Sequence, residues 1–388
     1  MKPAVRRVMV SGFVSAVLTV GTLVVPGAAQ AAEIDPSVFS LQRTQTDPAL
    51  VDALTDTLPS RSVGEVVASA NRVGTACTAD ASHLSASFCW QSGDNTVSYW
   101  YPQGLTTSAD ATDSGTVDGH EVLLSAWYDN GESGYDRGAR VSFVDMSNPT
   151  APRYRHVLLV EPTGTPASPS FTAVTAHAGG LVWYGDLLYV ADTYNGMRVF
   201  DLSRMMAVST GRDTAIGRQS DGTFHAHNYA YVLPQVGRYV PSVAGSTDPL
   251  RFSSVSLDRT SDPHALVVGE YSADGDGTRI VRFDLDSSGE VAREADGVAH
   301  GDFGWTVSFR SMQGATCVDG VYYVHRSNGF SNKGGMITWT PGEYADVLDG
   351  TVPISPEDVT YWGGRDQLWS QTEAPGKRLV FATTLSQW

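Results

Sequence analysis

The chain has 388 residues, with 26 Lys or Arg against 42 Asp or Glu and a formal net charge of −16. So acidic a surface repels a phosphate backbone, which argues against nucleic acid as a partner. Charged residues make up 18% of the chain and hydrophobic ones 41%, with 39 glycines, a balance that suits a folded, turn-rich body rather than a disordered one.

Residues 1–31 read as a signal peptide: Lys2, Arg6 and Arg7, an apolar run over 8–25, then Ala29-Gln30-Ala31 at the cut site. The expectation is a secreted protein, extracellular or associated with the cell wall. No second apolar run of about 18 residues follows, so no membrane span is expected. Three of the 26 basic residues lie in this segment, leaving 23 against 42 acidic ones, and only Lys333 and Lys377 remain as lysines.

Residues 32–72 form an N-terminal segment with short helices expected over 47–58 and 63–70. Its polar stretch 39–48 carries Gln42 and Gln45 and is expected to be mobile. Accessible glutamines on a flexible backbone suit a transglutaminase acyl donor, and Gln219, in the polar insertion 217–222, is a third candidate.

From 73 to 388 the pattern is all-β. Seven hairpins are read, pairing residues 87–90 with 97–100, 122–125 with 141–144, 187–190 with 198–201, 238–241 with 252–255, 266–269 with 280–283, 321–324 with 336–339, and 367–370 with 379–382. Recurring hairpins of one type predict a β-propeller, seven-bladed, with six blades admitted because the fourth and fifth hairpins nearly touch in sequence. Small-residue stretches at 74–77, 179–182, 314–317 and 358–361 suit inner strands, where backbones crowd the channel. Closure is expected between the C-terminal strands and one from the N-terminal part. Cys77 and Cys89, on neighbouring strands, are expected to form a disulfide, with Cys317 free and buried.

Reactive groups of a propeller belong where inner strands begin. His177 heads one such strand, and His225 and His227 form a His-x-His pair before Tyr229, so both imidazoles could face one way. Arg72, Arg137, Arg140, Arg310 and Arg365 could bind an acidic sugar, and with His177 or Tyr229 as base would suit a polysaccharide lyase. Asp145, Asp192, Asp201 and Asp284 recur at strand ends and read as turn formers. The acidic run Asp274-Gly275-Asp276-Gly277 lacks EF-hand spacing and reads as a hairpin turn. No metal site is read and no cofactor is expected, a structural calcium ion being the one ion admitted. There is no Gly-x-Ser-x-Gly elbow, His-Glu-x-x-His pair, Walker loop or dinucleotide fingerprint.

The signal segment, the phrase His177-Ala178-Gly179-Gly180-Leu181-Val182-Trp183-Tyr184-Gly185-Asp186 and the run of hairpins together resemble the secreted actinomycete β-propellers of the dispase autolysis-inducing protein type. The resemblance implies a cross-linking substrate of extracellular transglutaminase that promotes self-digestion of a metalloprotease. The expected function is therefore a monomeric, non-enzymatic interaction protein with a transglutaminase or metalloprotease partner. The alternative is an extracellular glycan-active enzyme, a lyase or hydrolase using His177, His225, His227 and Tyr229 at one channel mouth. A third reading is a carbohydrate-binding propeller presenting Trp90, Trp100, Tyr101 and Trp127.

Overall fold

The computed structural model describes residues 31–388 apart from residue 246; the signal segment expected over 1–31 lies, but for its last residue, outside the described residues. Five antiparallel units of four principal strands make up the body, the first two joined into one larger sheet where Val232–Pro234 runs parallel to Leu158–Val160. Blade 1 comprises Trp100–Thr107, Val122–Asp129, Ala139–Asp145 and Arg153–Thr165, and blade 2 comprises Leu181–Tyr184, Leu187–Asp192, Gly196–Asp201 and Tyr231–Val243. Blade 3 comprises Ser254–Asp258, Ala265–Gly269, Arg279–Asp284 and Phe303–Thr306; blade 4 comprises Met312–Val318, Val321–Asn328, Asn332–Trp339 and Asp346–Ile354. Blade 5 is built from Pro356–Trp362, Gln367–Thr372 and Leu379–Thr384, and is completed by Leu84–Cys89 from the other end of the chain.

The first strand of each blade is the innermost. Each packs against the inner strands of its two neighbours, and that of blade 5 returns to that of blade 1, so the ring closes around a channel. Glycine makes this approach feasible: a Cβ on Gly180 would stand 1.9 Å from the Val255 nitrogen, and one on Gly314 2.7 Å from the Asp358 Cα.

The propeller expectation holds; among the described residues five four-stranded units can be traced, where seven blades, or six, were expected. Five of the seven expected hairpins are real. The other two, 87–90 with 97–100 and 238–241 with 252–255, each join the outer strand of one blade to the inner strand of the next. Both strands of such a junction alternate like a hairpin, yet they lie in different sheets. For the same reason the stretch 74–77 is not an inner strand; Thr75–Ala76 caps the outer edge of blade 5.

Period-2 alternation gives each strand two working faces. In blade 1, Leu124 and Ala126 face the core shared with Leu181, Trp183 and Leu188 of blade 2. Leu123 and Trp127 face the opposite core, shared with Trp362, Trp369 and Val380 of blade 5. Each buried aliphatic or aromatic side chain contributes roughly 1.5–3 kcal/mol, so the inter-blade seams hold the disc together.

The expected closure is present: Leu379 pairs with Cys89, Val380 with Phe88, Phe381 with Ser87 and Ala382 with Ala86. Cys77 and Cys89 are joined, with Cα atoms 5.7 Å apart, and Cys317 is free and buried. The two helices also form, over Pro48–Thr57 behind Asp47 and over Val63–Ala68, the latter opened by a reciprocal capping box between Ser62 and Glu65. The polar stretch expected to be mobile is instead the strand Phe39–Gln45, paired along the outside of Tyr231–Val243 with Gln42 opposite Val240 and Gln45 opposite Gly237. Among the described residues no helix is long and apolar enough to cross a membrane.

Candidate functional site

At the end of the ring where the inner strands begin, the channel widens into a cavity of about 840 Å³. Blade 1 contributes Tyr101, Gln103 and Tyr128, the approach to blade 2 His177, and blade 5 Glu357 and Glu373. The rings of Tyr101 and Tyr128 stack at 5.7 Å, and those of Tyr128 and His177 at 4.5 Å, giving a continuous aromatic wall. Tyr194, Tyr271 and Phe330 stand exposed around the rim. His177 opens onto the cavity, and enclosure by its walls lowers its pKa, favouring the neutral imidazole.

The floor holds the chemistry. Glu357 follows Pro356 at the start of the inner strand of blade 5 and Glu373 follows Thr372 at the end of the neighbouring strand, so the Pro356–Thr372 pairing brings the two glutamates together in the cavity lining. Burial, then the charges of Glu373 and Asp358, push Glu357 well above the usual carboxylate range. Glu373 is also raised by burial, though Gln103 Nε2 donates to its Oε2 at 2.9 Å. Burial thus favours the protonated form of both carboxyls, most strongly that of the fully buried Glu357.

Below them, Asp358 points inward. Its Oδ2 accepts the backbone N–H of Leu105 at 3.1 Å and of Leu181 at 3.3 Å, tying together the inner strands of three blades. Deeper still, Asp110 Oδ2 accepts the hydroxyls of Thr106 and Thr360, both at 2.7 Å, and burial pushes its pKa up to about 6.

A second cavity of about 550 Å³ lies beside the first, behind the Asp129–Arg137 ion pair. Asp94 is its hub, contacting Arg72 at 3.0 Å, Arg140 at 3.0 Å and His156 at 3.1 Å, and accepting the Tyr154 hydroxyl at 2.7 Å. Burial alone would raise Asp94, but Arg140, Arg72 and the hydrogen bond to the His156 ring hold it far below its ordinary value. Burial and Arg140 lower His156 to about 3, so its ring is neutral.

The expected site residues are thus divided. His177 lines the first cavity, whereas His227 and Tyr229 line the second, and His225 is buried in a side hairpin. The His-x-His pair does not face one way, because its strand ends at Ala226 and His227 takes a left-handed φ of 46°. Arg72, Arg137 and Arg140 converge in the second cavity. Arg310 bonds the Ala273 carbonyl at 2.9 Å and Arg365 pairs with Glu121 at 2.5 Å, both elsewhere.

Asp145 and Asp201 are turn formers, accepting the N–H groups of Ser147 and Ser203, but Asp192 instead binds Arg198 and Arg238 and lines the first cavity. Asp284, beside Arg282 at 3.8 Å, is raised by burial and by Asp302. The Asp274–Gly277 run is a turn in which Asp274 accepts the Ser272 hydroxyl and the Asp276 N–H. Among the described residues no group of three or more His, Cys, Asp or Glu side chains is placed to hold a metal ion.

Trp90, Trp100 and Trp127 are core residues, and Tyr101 alone of the four expected aromatics opens into the first cavity. Gln219 is tied back by its amide to the carbonyls of Ile216 and Gly217, both at 3.0 Å. Glu357 and Glu373 are the residues that reading the sequence passed over. The signal for them was an acidic dipeptide, Glu357-Asp358, heading an otherwise apolar strand.

No family model matches the chain, and no curated protein matches it. Among solved structures, the chain is similar to the β-propeller domain of Cps50 (Swd1) from Myceliophteria thermophila at 11% identity, covering 74% of this chain and 98% of that one, with a TM-score of 0.35. It is also similar to a GH43 enzyme from Xanthomonas citri complexed with xylose, at 12% identity over 86% of this chain and 92% of that one, TM-score 0.32. A third is CoXyl43, a GH43 β-xylosidase/α-arabinofuranosidase from a compost microbial metagenome, at 9% identity over 79% and 94%, TM-score 0.32. On the geometry of its own sheets, the chain is an all-β propeller.

Proposed function

We propose that the protein is a secreted glycan-active enzyme that cleaves a neutral glycosidic bond at the mouth of its channel. The observation that carries this reading is the Glu357–Glu373 pair on the floor of an aromatic-walled cavity. Sugar rings offer C–H faces that pack on aromatic rings and hydroxyls that need a few fixed polar partners, and the wall of Tyr101, Tyr128 and His177 with Gln103 supplies both. Glycosidic cleavage needs a carboxyl that is still protonated near neutral pH, to donate to the leaving oxygen. Burial moves both carboxyls toward that property, and the charge of Glu373 moves Glu357 further. Glu373, the outward member, gives its proton to the leaving oxygen as the C1–O bond breaks; a water adds to C1, and the proton it sheds returns to the Glu357–Glu373 pair.

The test is release of reducing ends from a panel of neutral oligosaccharides. Glu373→Gln should lower kcat by about 10²–10⁴-fold, the usual worth of a positioned general acid, with KM little changed. Sugar bound without turnover would replace the enzyme by a carbohydrate-binding propeller. Undiminished turnover in the variant would remove the pair from the mechanism.

A further inference from the structure

We infer that the second cavity is a separate binding site for a carboxylate-bearing sugar. In a chain of net charge −16, four arginines, Arg72, Arg137, Arg140 and Arg155, line this one hollow. Asp94 answers Arg72 and Arg140 together, and Asp129 answers Arg137. Among the described residues Arg155 pairs with no carboxylate; it bonds the Ser69 carbonyl at 3.3 Å and lies over the Tyr231 ring at 5.2 Å. Neutral His156 adds no charge. With Asp213 also in the lining, four arginines face three carboxylates, Asp94, Asp129 and Asp213, an excess of one positive charge that an anion completes.

The arginines are also fixed in place. Arg140, 3% exposed, is held over the rings of Trp100 at 4.3 Å and Trp127 at 4.8 Å and bonds the Tyr229 hydroxyl at 3.1 Å. Arg137 lies over the Tyr99 ring at 5.0 Å. Guanidinium groups held on aromatic faces lose little freedom on binding, and their planar forks match a carboxylate. At about 550 Å³ the hollow is in the range of small-molecule sites and far larger than a carboxylate needs, while Asn71, Gln91 and Asn228 offer amides to hydroxyls. A sugar acid uses both features; a bare anion uses one.

The probes are a trimer of galacturonic acid, the neutral galactose trimer, acetate and inorganic phosphate, each titrated calorimetrically into the full protein. The acidic trimer should bind at least tenfold more tightly than the neutral trimer and than either simple anion, with affinity falling as salt rises. Arg155→Gln and Arg137→Gln should each weaken it about tenfold. Arg155→Gln should leave neutral-glycan turnover at the first cavity unchanged, and Glu373→Gln should leave acidic-trimer binding unchanged. Equal affinity for acidic and neutral trimers, acetate or phosphate as tight as the acidic trimer, or indifference to both arginine variants would each overturn the proposal. Should a variant fail to fold, the wild-type discrimination between the two trimers decides. Acidic-trimer binding without any neutral-glycan turnover would uphold this site while sinking the hydrolase reading.

Discussion

The Asp358 carboxyl on the inner strand of blade 5 accepts the backbone N–H of Leu105 on that of blade 1, at 3.1 Å and across 253 residues of sequence. Because the same oxygen accepts the Leu181 N–H, truncation would leave two buried donors unanswered. Asp358→Ala should therefore cost about 2–4 kcal/mol in denaturant unfolding. Asp358→Asn, which keeps an acceptor oxygen and removes an acid raised well above its usual range by burial, should cost less than half as much.

Asp110 makes stability depend on pH. Its pKa rises from 3.8 to about 6 on folding, so between those values the folded state binds more protons than the unfolded one. Its contribution is full below about pH 4 and is lost as pH rises through 6, by about 3 kcal/mol in all. Asp110→Asn should flatten this part of the stability profile, measured by urea unfolding from pH 4 to 8. An unchanged slope would show that Asp110 is not the group responsible.

Cysteine chemistry should separate cleanly. Non-reducing peptide mapping should find Cys77 joined to Cys89, and a thiol reagent should leave native Cys317 untouched, since burial pushes its pKa to about 12. Unfolding should make Cys317 react at once. Cys77→Ser with Cys89→Ser should cost about 2–3 kcal/mol, the worth of a short closed loop.

Deleting the chain from Lys377 onward removes Leu379–Thr384, which lies between Gln367–Thr372 and Leu84–Cys89. Two bare sheet edges would result, and the truncated protein should be insoluble or rapidly proteolysed. A soluble, protease-resistant product would show that the ring does not depend on this strand.

Amine labelling by a transglutaminase should be slow at Gln42 and Gln45 in the native protein. Their side chains are exposed, but their backbones are held in a ladder against Tyr231–Val243, where the enzyme cannot draw the chain into its cleft. Labelling at the rate of an unfolded peptide would mean that this strand detaches readily.

Strand type, the ring and the disulfide could all be read from alternation, small residues and cysteine spacing. Blade number could not, because residues 87–100 and 238–255 alternate as a hairpin does while changing sheets midway. Local pattern reports which way side chains point but not which strand lies alongside. The same limit hid the acid pair: Glu357 and Glu373 meet only through the register of Pro356 against Thr372. His225 and His227 were misplaced by a backbone feature, the left-handed turn at His227, that composition does not announce.

The borrowed strand of blade 5 also bears on how the molecule assembles. Blades 1 to 4 each draw on one stretch of chain and can zip locally, but Phe88 and Val380 meet only after nearly the whole chain has been gathered. Like the pairing of Phe39–Gln45 with Tyr231–Val243, this closes a long loop late, the slow kind of contact in β proteins. Weakening the Phe88–Val380 seam should then hasten opening of the disc far more than it delays collapse, making this buckle the place where the protein's lifetime is set.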